Sequence, residues 1–419
     1  MSQFRSIKGT HDILPSEVQI WQMIENNIHK LMKNYAYKEI RTPIFENTDL
    51  FIRGIGTDTD IVNKEMYSWI DQGGKSLTLK PELTAPVIRA YVQNQLDKQS
   101  PIHRLYYFDT LFRRERPQKG RQRQFYQFGV EAVGSPYPEQ DSEVIALAYR
   151  IYEFFGIKDM QVKINSIGSS DIRPAYLDLL RSSIKKYIDD LCNTCKGRLK
   201  KNALRLFDCK NSECKEILTN KAPIIFDYIS EEDHEHFNEV KKRLDLMKIP
   251  YVHDNSLVRG LDFYTQTTFE IISSSLGAQD ALCGGGRYND LVKQIGGKAT
   301  PAVGFAAGVE RLILAMDKSE HIDISIDIYL ITIGNKANIF ASNIAQEIRK
   351  YTNKSIMLET LRRSLKSQMR EANRCNAKYV IIIGEDELMN EVVVVKNMQS
   401  SEQVEISNSN IINYFKSNS

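Results

Sequence analysis

The sequence predicts a multidomain α+β protein: a strand-rich body split by a helical insertion, then a smaller α/β unit. Three observations carry this reading. Strand-like runs at 104–116 and 125–134 flank a short basic loop, as in an antiparallel hairpin. Residues 171–254 change character, becoming helical and rich in Lys and Glu, and strands with glycine loops resume only at 257–290. From 325 onward, short apolar runs alternate with helical patterns, which predicts a mostly parallel sheet. At 419 residues the chain exceeds one ordinary core. The expected boundaries are 1–170, 171–254, 255–324 and 325–419.

The elements follow in order. Residues 16–34 place Val18, Trp21, Ile24, Ile28 and Leu31 at helical spacing, with Ser16 as the expected cap. YKEIRTPIFE at 37–46 is a short strand-like run broken by Pro43, tolerated only at a strand edge or end. A strand at 77–80 and the hairpin come next, then a helix at 141–155 and a strand in MQVKINSIG. AVGFAAGVERLILAM at 302–316 reads as a strand passing into a helix. In the last unit, strands at 326–334, 355–358, 378–383 and 391–396 alternate with helices at 338–351 and 361–374.

Composition excludes several classes. Apolar residues make up 42% and charged residues 26%, ordinary for a soluble globular chain. No apolar run approaches the roughly 18–20 residues that span a bilayer. The opening MSQFRSIKGTHDILP lacks an apolar signal-peptide core, so a cytoplasmic location is expected. A net charge of +3 gives no global case for nucleic-acid binding, so any such case is local.

Two segments carry most of the chemical information. LVRGLDFYTQTTFE at 257–270 sets Arg259, Asp262 and Tyr264 within six residues, and GGGRYNDL at 284–291 allows a backbone approach that side chains would block. The hairpin adds Arg113, Arg114, Arg116, Arg121 and Arg123, with Glu115 among them and Phe125 just after. Such a charge run alone is ordinarily a solvated loop, and a glycine run alone a bulge. Guanidinium forks, however, match phosphate oxygens, and an aromatic face suits a purine.

Taken together, these segments resemble the histidyl-tRNA synthetase family of class II aminoacyl-tRNA synthetases, in its bacterial arrangement. FRRERP…QFYQFGVE is similar to class II motif 2, GFAAGVERL at 304–312 to motif 3, and YKEIRTPIFE to motif 1. The two segments at 257–270 and 284–291 resemble the family's histidine signatures. The resemblance covers essentially the whole chain. It implies an antiparallel class II catalytic sheet, a helical insertion domain and a C-terminal α/β anticodon-binding domain.

The resemblance also implies roles. Arg113 and Arg259 would be catalytic. Arg113, Glu115, Arg121, Phe125 and Arg311 would bind ATP, with Mg²⁺ on its phosphates. Histidine would meet Glu82 and Thr84 through its amino group, and Gln127, Glu131, Arg259, Leu261, Tyr264, Gly285 and Tyr288 elsewhere, with Phe263 rather than a tyrosine beside Tyr264. Gln127 and Glu131 alternate on one strand and so share a face. A neutral imidazole needs one donor and one acceptor, which Tyr264 and Glu131 supply. Gln118, Lys119, Gly120 and Arg123 would meet the tRNA. Three positions depart from the common pattern: Lys80 stands for arginine, Leu83 for glycine and Asn289 for aspartate.

The implied reaction is ATP-dependent ligation of L-histidine to tRNA(His) by a homodimer, with no membrane involvement. A catalytically inactive regulatory paralogue is the alternative, set against the retained Arg113, Arg259 and Arg311. Arg362, Lys366, Arg370 and Arg374 recur every fourth residue on an expected helix, as a phosphate-binding stripe or a solvated face. Cys192-x₂-Cys195 and Cys209-x₄-Cys214 resemble a four-thiolate zinc site. Lys196, Lys200, Lys201, Lys210 and Lys215 read instead as an exposed basic surface, and the balance lies with that reading.

Overall fold

The computed structural model describes residues 4–57, 59–118, 120–277, 281–316 and 325–417. It divides into two compact units, 1–319 and 320–419. The strands of the first unit are β1 (Lys38–Glu39), β2 (Phe45–Asn47), β3 (Tyr67–Ile70), β4 (Ser76–Leu79), β5 (His103–Phe112), β6 (Gln124–Val133), β7 (Met160–Ser166), β8 (Tyr251–His253), β9 (Thr265–Ser273), β10 (Ala281–Arg287) and β11 (Ala302–Gly308). Among the described residues, eight of them form one sheet in the order β1-β5-β6-β11-β10-β9-β7-β8. The pairings from β5 through to β7 are antiparallel, and only the edge strands β1 and β8 add in parallel. A separate antiparallel sheet, β2-β4-β3, carries the residues that follow Pro43.

One face of the large sheet is covered by helices. Pro138–Phe154 lays Val144, Leu147, Ala148 and Ile151 against Phe128, Val130, Phe269 and Phe305 of the strands. Pro15–Asn34 joins the same core through Ile24, Ile28 and Met32. The sequence expectation of Ser16 as its cap is not met: the helix starts at Pro15, and no side chain caps it. Proline at the first helical position has its φ already set and needs no N–H partner there.

Residues 171–254 are largely helical, as read, with helices at Arg173–Lys185, Asn193–Lys201, Ser212–Lys221 and Glu231–Leu246. Tyr176, Leu180, Leu199, Leu206 and Leu218 pack into one core shared with Ile88, Phe263 and Tyr288 of the strand-rich body. The last helix instead packs Phe237, Val240 and Leu244 onto the large sheet, and β8 extends that sheet.

The second unit has β12 (Ile328–Thr332), β13 (Ile356–Leu358), β14 (Tyr379–Ile383), β15 (Val392–Asn397) and β16 (Gln403–Ser407), in the order β13-β12-β14-β15-β16. The mostly parallel sheet expected is corrected. The first three strands are parallel, and β15 and β16 run antiparallel. A parallel crossover needs a dozen or more residues, and the links after β14 are too short for one. The expected helix at 361–374 starts at Leu365, which leaves Arg362 outside it at φ +52°. The basic stripe on the helix is therefore Lys366, Arg370 and Arg374, all exposed. Among the described residues, no helix is long and apolar enough to cross a membrane.

Candidate active site

Strand alternation decides what the open face of the large sheet is made of. On β6, Gln127, Gly129 and Glu131 lie at alternate positions and share that face. Register carries the row across: Gly129 opposes Ala306, Ala306 opposes Gly284, and Gly284 opposes Glu270. One step along, Glu131 opposes Gly304, which opposes Gly286. Gly304, Ala306 and Gly308 of β11, with Gly284 and Gly286 of β10, thus make a floor almost without side chains. That absence is required by close neighbours. A Cβ on Gly284 would sit 2.0 Å from Nη2 of Arg259, and one on Gly304 2.0 Å from Oε2 of Glu131.

Arginines and carboxylates wall this floor. Arg113, Arg121, Arg259 and Arg311 line one cleft together with Glu115, Phe125, Gln127 and Glu270. Nε of Arg113 donates to the Pro81 carbonyl at 2.8 Å, and the guanidinium stands 5.3 Å from the Phe125 ring centroid. Glu115 accepts from Arg121 at 3.0 Å and lies 3.6 Å from Arg113. Arg259 pairs with Glu270 at 2.6 Å. Arg311 lies beside Gly308 and Gly120, and its guanidinium donates to the Ala281 carbonyl. Cations opposed by too few carboxylates, beside an aromatic face, suit a polyanion that carries a flat base.

The inner end is a polar pocket. Glu131 is buried and accepts from Thr84 at 2.8 Å, from Tyr107 at 3.2 Å and from the Tyr288 hydroxyl. Burial pushes its carboxyl up to about 8; the Tyr288 and Thr84 donors oppose this, and the nearby Glu82 adds to it. Glu82 accepts the Ala85 N–H at the start of the helix Thr84–Gln93, and burial pushes it up to about 7. Tyr264 is buried, with its hydroxyl pushed up to about 12 by burial, and the nearby Arg259 charge opposes the shift.

Most of the expected residues converge here, but not all. Leu261 lines the outer cleft. Phe263 is buried against the rings of Tyr264 and Tyr288, at centroid distances of 4.7 and 5.4 Å, and supports the pocket from behind. Gly285 points to the opposite face, where a Cβ would meet Phe305 and Phe269; its neighbours Gly284 and Gly286 face the cleft. Asp262 is turned away as well, accepting from Asn202 of the helical segment at 2.7 Å.

The basic loop closes tightly. Gln118 and Arg121 exchange backbone hydrogen bonds at 3.1 and 2.9 Å around Gly120 at φ +73°. Gln118 is exposed, the N–H of Arg123 donates to the Gly9 carbonyl at 2.7 Å, and Lys119 lies outside the described residues.

The three departures have local explanations. Lys80 is fully buried, with Nζ donating to Asp109 at 2.5 Å and to the Thr42 carbonyl at 3.2 Å, so it supports the hairpin rather than facing the cleft. Leu83 adopts φ −114° and packs beside Leu105 and Leu111, a conformation that needs no glycine. Asn289 donates from Nδ2 to Gln266 at 2.9 Å, which an aspartate could not do.

Sequence reading missed Tyr107, Glu270, Ala306 and Glu310, which share the site. Alternation along β5, β9 and β11 is the signal that finds the first three. Glu310 accepts the Tyr126 N–H at 2.9 Å, and burial pushes it up to about 7. Arg205, Phe207 and Asp208 of the insertion also wall the outer cleft, which only the tertiary fold reveals. Apart from this site, the sulfurs of Cys192, Cys195, Cys209 and Cys214 all lie within 4.8 Å of one another.

An antiparallel sheet covered by helices on one face, with an arginine-walled cleft on the other, defines a class II aminoacyl-tRNA synthetase core. Residues 9–312 match the family model described as histidyl-tRNA synthetase, and residues 327–418 match the one described as anticodon binding domain. A histidine–tRNA ligase of Halothermothrix orenii is 50% identical over 408 residues, 97% of each chain. One of Staphylococcus haemolyticus is 46% identical over 418 residues, 98% of each chain. The solved apo histidyl-tRNA synthetase of S. aureus superposes with a TM-score of 0.82 at 37% identity, over 99% of this chain and 100% of that one. The chain belongs to the histidyl-tRNA synthetase family.

Proposed function

We propose that the chain ligates L-histidine to tRNA(His) at the cleft over the glycine floor, in two ATP-driven steps. One juxtaposition carries this reading: an arginine-walled cleft opens at its inner end onto a buried glutamate and tyrosine. In the first step a carboxylate oxygen of histidine attacks the α-phosphorus of ATP. The bond to the bridging oxygen breaks, and pyrophosphate leaves from histidyl-adenylate. In the second, the terminal ribose hydroxyl of the tRNA attacks the acyl carbon and AMP departs. The protein's contribution is positioning and charge stabilisation.

The roles rest on the family resemblance, and the residues' convergence on one cleft supports them. Arg113 and Arg259 meet the α-phosphate, Arg121 the terminal phosphates, and Phe125 and Arg311 the two faces of adenine, with Glu115 beside its amino group. Glu82 and Thr84 receive the α-amino group of histidine, and Gln127, Leu261 and Tyr288 close the pocket around it. Binding of histidine would draw Glu131 into its ionised form, which has roughly four acceptor sites; its three hydroxyl partners take three, leaving one for an imidazole N–H. The Tyr264 hydroxyl, pushed up to about 12 by burial, keeps its proton and can offer it to the second ring nitrogen.

Mg²⁺ fits as an ion carried on the ATP phosphates rather than held in a protein cage. Glu115 and Glu270 are the cleft carboxylates that would complete its shell, although each already accepts an arginine. It would supply charge neutralisation on the phosphates.

The loop of Gln118, Lys119, Gly120 and Arg123 and the C-terminal unit are the two expected tRNA contacts. The match of residues 327–418 to an anticodon-binding domain supports the second. A regulatory, inactive role finds no support, because the relatives above are named ligases over nearly their full length. One experiment tests the reading. Histidine-dependent ATP–pyrophosphate exchange and tRNA charging are measured for the full chain, for Arg113→Ala and for a chain ending at 324. Arg113→Ala should lose exchange while remaining folded, and the truncation should lose charging far more than exchange. Retained exchange in a folded Arg113→Ala protein contradicts the assignment of the cleft.

A further inference from the structure

The four cysteines of the insertion come together although the chain separates them into two pairs. Cys192 is the N-cap of the helix Asn193–Lys201 and Cys195 lies in its first turn, and Cys214 lies in the first turn of Ser212–Lys221. Cys209 ends the 3₁₀ segment Ala203–Asp208 between them. Cys195 and Cys214 are fully buried, Cys209 is 6% exposed, and Cys192 is half-buried. The sulfurs of Cys192 and Cys209 are 3.9 Å apart, far beyond a disulfide bond and close to the roughly 3.8 Å edge of a tetrahedron with 2.3 Å metal–sulfur bonds.

Thiols that pack only as small apolar groups have no reason to converge on one point. Here all four point inward to a common centre, with sulfurs no more than 4.8 Å apart. Backbone donors are turned onto them as well: the N–H of Cys192 reaches Sγ of Cys214 at 3.2 Å, while Asn211 accepts the Cys214 N–H at 3.0 Å and fixes that turn. N–H groups aimed at sulfur stabilise thiolate charge. Lys200, Lys201, Lys210 and Lys215 are exposed around the cluster and supply opposite charge, so the basic surface expected from the sequence and the buried sulfurs coexist.

We infer that Cys192, Cys195, Cys209 and Cys214 bind a single zinc ion, and that this ion fixes residues 202–215 as the outer wall of the cleft. Binding releases the thiol protons and changes no oxidation state. A closed four-sulfur set leaves no open position, so the ion is structural. The wall it fixes reaches the site. Arg205 and Asp208 are paired at 2.9 Å, Arg205 lies 3.5 Å from Asp60, and Arg205, Phe207, Asp208 and Lys210 line the same cleft as Arg113 and Arg259.

The test uses the full chain, purified with a thiol reductant and without chelator. Metal analysis should give about one zinc per chain, and cobalt added to chelator-stripped protein should give thiolate charge-transfer and tetrahedral ligand-field bands. Amide exchange across 202–215 should be slower in the zinc-loaded than in the stripped protein. Cys209→Ser/Cys214→Ser should lose the cobalt bands. If that variant does not fold, the stripped wild-type chain alone decides by its cobalt spectrum. Less than about 0.2 zinc per chain with no cobalt bands overturns the proposal. Iron in place of zinc, a mapped disulfide among the four cysteines, or exchange in 202–215 that ignores the metal overturns it equally.

Discussion

Glu131 is a buried carboxylate whose partners are three hydroxyls; burial raises its pKa, and the nearby Glu82 adds to the rise. Burial disfavours the charged form, and neutral donors offset only part of the cost. The folded chain therefore holds a proton on Glu131, up to about pH 8, that the unfolded chain releases near the ordinary value of 4.5. Between these limits the folded state binds more protons, so this group's contribution to stability falls as pH rises. Glu131→Gln should remove that slope. In thermal unfolding, the variant should gain on the wild type between about pH 5 and about pH 8, while losing histidine activation. A constant difference across that range would mean that Glu131 is charged throughout. Glu131 and Tyr264 were both legible in the sequence, because they lie in contiguous motifs. The part played by Lys80 was not. Only the folded hairpin shows that Asp109 lies within hydrogen-bond reach of it.

At the scale of the strand, the same period of two that builds the core face clears the cleft. Gly284 and Gly286 face the ligand side, and Gly285 faces Phe305 and Phe269. The run of three glycines was readable, but its middle member falls on the far side. Which of the three faced the cleft depends on the register with β9 and β11, and that is not in the run itself. The glycines also differ in what a methyl group would strike. At Gly284 it meets the guanidinium end of the Arg259 side chain, whereas at Gly129 it meets the Phe305 carbonyl at 2.2 Å and the Tyr107 hydroxyl at 2.5 Å. Gly284→Ala should therefore keep its melting temperature and slow adenylate formation by displacing the guanidinium. Gly129→Ala should instead destabilise the fold by roughly 1–3 kcal/mol, as overpacking does. Comparable losses of stability in both would show that Gly284 serves packing rather than Arg259. Short elements were the hardest to read: β16 and the helix Ile411–Ser417 lie beyond the clear alternation, and nothing local marks them.

On the scale of the whole chain, the helical insertion and the C-terminal unit were visible as changes of pattern. Their edges were not, since Glu231–Leu246 and β8 lie inside the helical stretch yet pack on or extend the large sheet. A second copy of the chain is the proposed partner. Exposed Phe45 and Trp69 stand with ring centroids 6.0 Å apart on the small sheet that follows Pro43, apolar surface of the kind that a symmetric dimer covers. Light scattering should give twice the chain mass of 48.2 kDa, and a stable active monomer would refute it.

The central claim is that Arg259, held over Gly284 and paired with Glu270, stabilises the charge that develops on the α-phosphate as histidine attacks. Pre-steady-state formation of histidyl-adenylate in Arg259→His, with histidine and ATP affinities measured alongside, tests it most directly. Loss of a preorganised donor should slow that step by about 10²–10³ with much smaller changes in either affinity. Arg259→Lys should recover only part of the rate, since an ammonium lacks the planar fork. A rate for Arg259→His within a few-fold of the wild type would contradict the account.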